Sequence, residues 1–410
     1  MPVHLACRVC DTRLPAPFLD LGPMALANAF LSSPEEFANE PAYPLAVTAC
    51  TRCGLAQLTY VVPAEQLYDR YVYVSSTSEA VRRYAQELAG RLVDRYHLGP
   101  ARLVAELGSN DGLVLQALQQ RGARVVGVEP ARDIAALARE RGVPTANEFF
   151  TASSAAALAA EHGPARVILG RHVFAHIDDW HDCLSGVDAW LAPDGALLLE
   201  VPYLGALIDQ VAFDTIYHEH LSYVAVQPLA ELCGRHGFRL VDAEPVALHG
   251  GSLLLTMRRV AEGVLPSPRL EALLAEERRQ GLTRPETLAA FARSVRRWKQ
   301  EFEACVERLA GSGATLAGYG AAAKANTLLN FCPAVAARLA CLLDRSPRKH
   351  GLYTPGTHLP VVSPEGWEAG GISHLMILAW NFKEEILRQM EPFAKQGGRF
   401  VIPIPQPEVV

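Results

Sequence analysis

The chain is expected to be an α/β protein in three parts, on three observations. Two C-x-x-C pairs are confined to a Pro- and Tyr-rich N-terminal stretch, a βαβ rhythm begins at Leu103, and a second such rhythm begins at Ala314. Half of the 410 residues are hydrophobic, too much apolar material for a single compact core, so the chain divides into domains. The expected parts are a metal-stapled module over 1–70, a Rossmann-like domain over 71–262, and over 263–410 a helical linker leading into a second Rossmann-like α/β domain.

The N-terminal part is poor in helical periodicity. Its pairs Cys7-x-x-Cys10 and Cys50-x-x-Cys53 match the two-knuckle pattern in which four thiolates surround Zn²⁺. Four anionic ligands close the coordination sphere, so such a metal contributes folding energy rather than chemistry. A nucleic-acid-binding ribbon is the rival reading, but the neighbouring runs Pro41-Ala42-Tyr43-Pro44-Leu45 and Gly54-Leu55-Ala56-Gln57-Leu58 lack the basic residues such a ribbon needs, and a net charge of -6 with 20% charged residues argues the same way. Nine cysteines in so long a chain are too few for a disulfide scaffold. Met1-Pro2-Val3-His4 lacks the features of a signal peptide, and no apolar run has membrane-spanning length. The expected setting is therefore cytoplasmic, with no nucleic-acid or membrane partner, as a monomer or weak homo-oligomer.

In the middle part the runs LVAEL, RVVGVE, Val167 to Leu169 and Ala196 to Val201 read as strands, the last introduced by the turn Ala192-Pro193-Asp194-Gly195. Between the first two lies Glu106-x-Gly108-Ser109-Asn110-Asp111-Gly112, at a strand end and helix start where glycines admit a ligand close to the backbone. Glu129 ends the next strand, placed to accept both hydroxyls of an adenosine ribose. That geometry serves NAD and S-adenosylmethionine alike. The loop is not G-x-G-x-x-G, and Asn110-Asp111 offers polar groups to a zwitterionic methionine tail, which favours the methyl donor. Phe149 is expected beside the adenine, and Arg171-His172-Val173-Phe174 where the fourth strand opens into the cleft.

The segment Phe213 to Tyr223 concentrates titratable groups in Tyr217-His218-Glu219-His220. If extended, it turns His218 and His220 to one face and Tyr217 and Glu219 to the other; a bend is the alternative. A neutral histidine is a suitable base near neutral pH, with the adjacent glutamate to orient it. A metal site from His218, Glu219 and His220, and plain polar packing at a domain boundary, stay open. His176, just beyond a strand end, and Tyr68, Tyr71 and Tyr73 read equally well as packing.

In the third part Pro285 opens a helix whose Leu288, Phe291, Val295, Trp298, Phe302, Val306 and Leu309 form one apolar stripe. Beyond it, Gly318-Tyr319-Gly320 leads into a helix with Lys324 nearby, an arrangement suited to a diphosphate.

The ordered strings YVYVSSTS, ELGSNDG, GVEPA, HVFAHIDD, FDTIYHEHLSY, HGGS, GYGAAAKANTLLN and PGTHLPV, behind the two C-x-x-C pairs, closely resemble the C-methyltransferases of antibiotic deoxysugar pathways, from end to end. The resemblance implies a zinc module, a central S-adenosylmethionine domain and a related C-terminal domain. It also implies thymidine-diphospho-4-keto-6-deoxysugar substrates, methylated most often at C3 and in some members at C5. Carried over motif by motif, it assigns His220 as the base, Tyr217 and Glu219 to its environment, and His176 and Tyr71 (preferred to Tyr73) to the sugar or its enolate oxygen. Glu106, Gly108, Asn110, Asp111, Glu129, Phe149 and His172 fall to the cofactor. Tyr319, Lys324, Asn326 and Lys349 fall to the nucleotide-sugar, with Asp344 and His358 as weaker candidates. One departure is visible: the family generally has Asn where this chain has His172. An NAD-dependent sugar-nucleotide oxidoreductase or epimerase, and a non-catalytic zinc-ribbon adaptor, are the competing functional readings.

Overall fold

The computed structural model describes residues 5–68 and 73–410. Three sheets organise them. The first is small and antiparallel, built from β1 (Leu19–Met24), β2 (Tyr43–Ala49) and β3 (Ala56–Leu58).

The second is the seven-stranded sheet of the middle part. Its parallel core is β4 (Leu103–Leu107), β5 (Arg124–Val128), β6 (Thr145–Ala146), β7 (Ala165–Arg171) and β8 (Leu191–Pro202). The expected turn at 192–195 does not interrupt β8: it is absorbed as an irregularity, where the register with β7 jumps from Leu191 to Ala196. After β8 the chain leaves this sheet. The two-residue strand β9 (Ser222–Tyr223) pairs instead with β3 of the first sheet, Tyr223 opposite Ala56 and Ser222 opposite Gln57. It then returns as β10 (Phe238–Val246) and β11 (Ser252–Arg259), giving the order β10-β11-β8-β7-β4-β5-β6. The order reverses between β4 and β7, which opens a crevice at their carboxyl ends.

The third sheet comprises β12 (Leu316–Tyr319), β13 (Leu339–Leu343), β14 (Val361–Val362), β15 (His374–Ile377), β16 (Arg399–Ile402) and β17 (Glu408–Val409), in the order β14-β13-β12-β15-β16-β17. Only β17 is antiparallel to its neighbour. The helix Pro285–Gly311 buries Leu288, Phe291, Val295, Trp298, Phe302 and Val306 as its periodicity requires. Its central rings are fully inside, with Trp298 stacked on Phe302 and donating its indole N–H to Pro403 O at 2.7 Å. Burial of one such ring contributes roughly 1.5–3 kcal/mol.

The parts share cores. One apolar cluster runs from Leu19, Leu45 and Val47 through Phe213, Ile216 and Leu221 to Phe302, Leu328 and Val361. Another joins the four N-terminal cysteines to Ile168, Leu199 and Phe238 of the middle sheet. The first sheet is therefore wedged against both larger ones, and the 213–223 segment lies where all three meet. Among the described residues, no helix is long and apolar enough to cross a membrane.

Candidate active site and zinc centre

All four N-terminal cysteines are buried, and one sulfur from each lies within 4.8 Å of the others. Cys7 Sγ is 3.4 Å from Cys53 Sγ and Cys10 Sγ is 3.5 Å from Cys50 Sγ. Backbone N–H groups of Val9 and Arg52 point at Cys7 and Cys50 sulfurs, each at 3.4 Å, as expected where thiolate charge is held. Residue type, closure and spacing fit one tetrahedral Zn²⁺ with no open position.

A cavity of about 610 Å³ occupies the junction of the three sheets. One end is the glycine loop after β4. Gly108 has φ +58, and a Cβ there would lie 2.7 Å from the Val173 side chain, so the backbone is bare where a ligand approaches. Asn110 is also left-handed, at φ +50. Its Oδ1 accepts from Ser75 N at 2.9 Å and its Nδ2 donates to Tyr73 O at 3.2 Å, which closes the loop against the 73–77 segment. Glu129 accepts Asn110 N and Ala131 N, one on each oxygen, both at 2.9 Å, and each oxygen keeps a lone pair for a hydroxyl. Glu106 lines the cavity with Oε2 lacking a hydrogen-bond partner. Burial, opposed by Arg171, pushes its carboxyl up to about 8, leaving a protonated donor for an anionic or polar ligand atom. Phe149 is 41% exposed beside them. A nucleoside with a charged amino-acid tail fits these groups.

His172 lines the same end, its Nε2 3.0 Å from the buried Glu200, which also pairs with Arg171. Its φ is +53, a region in which Asn and His are among the few tolerated non-glycine residues. The position therefore accepts either residue without changing the backbone. Asp111 differs from expectation. It is fully buried behind the loop, ion-paired with Arg141 and accepting Ser76 N at 3.3 Å, and does not line the cavity; it fastens the loop instead of meeting a ligand.

The far wall is the 213–223 segment, which bends. A turn closed by His220 N to Tyr217 O at 2.9 Å replaces the extended alternative. Tyr217, Glu219 and His220 then line the cavity, while His218 turns away to the carbonyls of Tyr43 and Pro44, both at 3.2 Å. That divergence removes the metal-site reading. His220 Nδ1 faces Thr215 O at 2.8 Å and its Nε2 faces the Tyr217 hydroxyl at 2.8 Å. A carbonyl only accepts, so Nδ1 carries the proton and the Nε2 lone pair accepts the Tyr217 O–H. Burial, aided by His176, lowers the imidazole well below its usual range, so it is neutral near pH 7. Glu219 does not orient His220 as expected. Its oxygens accept Asn28 Nδ2 at 2.9 and 2.7 Å, and burial pushes it up to about 7. Thr215 is the orienting group.

His176 stands with its ring centroid 5.0 Å from that of His220 and Nδ1 2.7 Å from the Tyr68 hydroxyl. Burial brings it down to about 3. Tyr71 lies outside the described residues. Sequence reasoning passed over Asn28, which carries no motif signal, and read Tyr68 as packing within an aromatic-rich run.

The third part supplies Lys324 and Lys349 to the cavity. Lys324 Nζ lies 4.9 Å from the Trp380 ring centre, beside the buried Asp214. Lys349 Nζ donates to Ala321 O at 2.7 Å and faces Asp344 at 3.4 Å. Gly320, at φ +96 and so close to Ala379 that an added Cβ would lie 2.7 Å from its Cβ, makes the turn from β12 into the helix Ala323–Phe331 that carries Lys324. Tyr319 and Asn326 do not reach the cavity. Tyr319 is a core residue whose hydroxyl donates to Gln389 at 3.0 Å, and Asn326 is fully buried, donating to Ala27 O at 2.7 Å. The first points along the buried face of its strand, and the second straps the first part to the third. His358 sits away from the cavity, stacked on Phe37 with Nε2 2.8 Å from Glu40.

Comparison with known proteins follows the same three-part division. The models "Putative zinc binding domain", "Methyltransferase domain" and "C-methyltransferase C-terminal domain" match residues 7–68, 81–243 and 247–405. The C-methyltransferase NovU of Streptomyces niveus is 38% identical over 404 residues, 98% of this chain and 96% of the relative. Solved structures give weaker likenesses. The CcbJ methyltransferase of Streptomyces caelestis is 16% identical over 47% of this chain and 98% of its own, with a TM-score of 0.36. Magnesium protoporphyrin IX methyltransferase of Synechocystis PCC 6803, with bound SAM, is 15% identical over 43% and 79%, with a TM-score of 0.33.

Proposed function

The chain belongs to the C-methyltransferase family, and from that premise we propose that it methylates a carbon alpha to the ketone of a nucleotide-linked 4-keto-deoxysugar. C3 is the preferred carbon and thymidine diphosphate the preferred carrier. Membership sets aside the oxidoreductase, epimerase and adaptor readings. S-adenosylmethionine, bound between Glu106, Gly108, Asn110, Glu129, Phe149 and His172, supplies an electrophilic methyl group. The zinc stays outside the chemistry.

The observation that carries the reading is the tautomer of His220, whose basic Nε2 accepts the Tyr217 O–H at 2.8 Å. Both residues line the cavity that holds the donor loop, so that the hydroxyl can turn to a ligand and leave Nε2 to act as base. A ketone makes the neighbouring C–H acidic because the charge left behind spreads onto oxygen as an enolate. Nε2 takes that proton, and the growing enolate charge beside the imidazolium offsets the burial that otherwise depresses its basicity. Tyr217, whose phenol burial keeps protonated, supplies an O–H to the same place. His176 and Tyr71 are assigned to the sugar or its enolate oxygen, where a donor has most effect. Lys324 and Lys349 offer positive charge to the diphosphate. The protein then works by alignment and electrostatics more than by covalent chemistry.

Incubation with methyl donor and a panel of keto-deoxysugar nucleotides in heavy water tests the proposal. Mass gain on carbon, and deuterium uptake by the sugar without donor, are expected from the native enzyme. Deuterium uptake is expected to vanish in His220→Asn while donor affinity persists. Methylation confined to oxygen or nitrogen of the true acceptor overturns the reading.

A further inference from the structure

Between the zinc ligands Cys7 and Cys10 sits Arg8, whose side chain is 1% exposed. A buried guanidinium at a metal knuckle needs partners, and its partners belong to the active-site wall. Nε and Nη2 both donate to Asp178 Oδ1, at 3.0 and 2.7 Å, and Nη1 donates to Leu221 O at 3.2 Å. Asp178 lies two residues beyond His176, and Leu221 directly follows His220. The same two segments are joined by Leu221 N to Ala175 O at 2.7 Å. The backbone of Arg8 is itself pinned, with its N–H on Gln57 Oε1 at 3.0 Å and Gln57 Nε2 on Ala6 O at 3.1 Å.

We propose that Arg8 is a positioning residue through which the zinc knuckle sets the mutual placement of His176 and His220. The inference rests on the function proposed above and adds a role for the metal module in it. The knuckle fixes the Arg8 backbone, the planar fork fixes the two loop segments at Asp178 and Leu221, and those segments carry the two imidazoles. Lysine offers a point charge that cannot span both acceptors in fixed geometry. Small displacements of aligned groups are enough to slow a reaction by orders of magnitude.

The test compares Arg8→Gln, Arg8→Lys, Asp178→Asn and His220→Asn in the full-length zinc-loaded chain, reading zinc content, donor affinity, sugar deuterium exchange and ¹⁵N-histidine spectra. Arg8→Gln is expected to keep its zinc and its donor affinity within about 2-fold while exchange falls ~10-fold or more. The His220 spectrum should pass from the single Nδ1–H tautomer to a mixture. Arg8→Lys should recover part of both, and Asp178→Asn should move them in the same direction by less, which serves if Arg8→Gln fails to fold. Native exchange and native histidine spectra in Arg8→Gln or Asp178→Asn, alongside an inactive His220→Asn, overturn the role of Arg8. An active His220→Asn instead removes the base assignment, and the histidine spectra then judge Arg8 alone.

Discussion

Asn28 Nδ2 meets both carboxylate oxygens of Glu219, at 2.9 and 2.7 Å, so a residue of the first part holds the group that immediately precedes His220 in its turn. The contact joins segments 191 positions apart. Asn28→Ala leaves Glu219 buried without its donor, at a cost of ~1–3 kcal/mol. The sugar KM should rise while donor affinity stays near native, measured by steady-state kinetics and calorimetry; equal loss of both contradicts a local role.

Stability of the ligand-free protein should fall between about pH 5 and 8. Burial raises Glu219 from 4.5 to about 7 and Glu106 from 4.5 to about 8, so across that range the native state holds protons the unfolded chain has lost. Raising the pH therefore favours unfolding, by roughly 3 kcal/mol for Glu219 and roughly 5 kcal/mol for Glu106 if fully expressed. Glu106→Gln should flatten the decline in Tm over this window. An unchanged slope refutes the assignment.

Cys53→Ala removes one thiolate from a closed quartet whose side chains lie inside the apolar cluster shared with the middle sheet. Zinc content should drop below one equivalent and Tm should fall, because binding energy here is folding energy. Chelation of the native protein should lower Tm likewise. A zinc-free variant of native Tm disproves the structural role.

Trp380 donates its indole N–H to the buried Asp214 at 2.6 Å, linking the third part to the segment before Tyr217. Trp380→Phe keeps the ring and removes the donor, with an expected loss of ~1–3 kcal/mol in chemical denaturation. Because Lys324 stands over the same ring, the sugar KM should increase with it. Unaltered denaturation and kinetics exclude the linkage.

The cysteine quartet, the glycine loop after β4, the carboxylate ending β5 and the apolar stripe of the long helix were all legible in the sequence, as was the family. Each is local: ligand spacing, a strand-loop-helix junction, or a helical period imposes it within a few turns of chain. What the string Tyr217-His218-Glu219-His220 does was not legible, since alternation and bending are equally allowed by its residues. Tertiary pairing of Ser222 and Tyr223 with β3 forces the bend, splits His218 from His220 and gives Glu219 to Asn28. Likewise the retreat of Asp111, Tyr319 and Asn326 from the cavity follows from burial against Arg141, Gln389 and Ala27, partners far apart in sequence. Local pattern decides which element forms; only packing decides which side chain is left facing the ligand, because a buried polar group goes wherever a distant partner satisfies it.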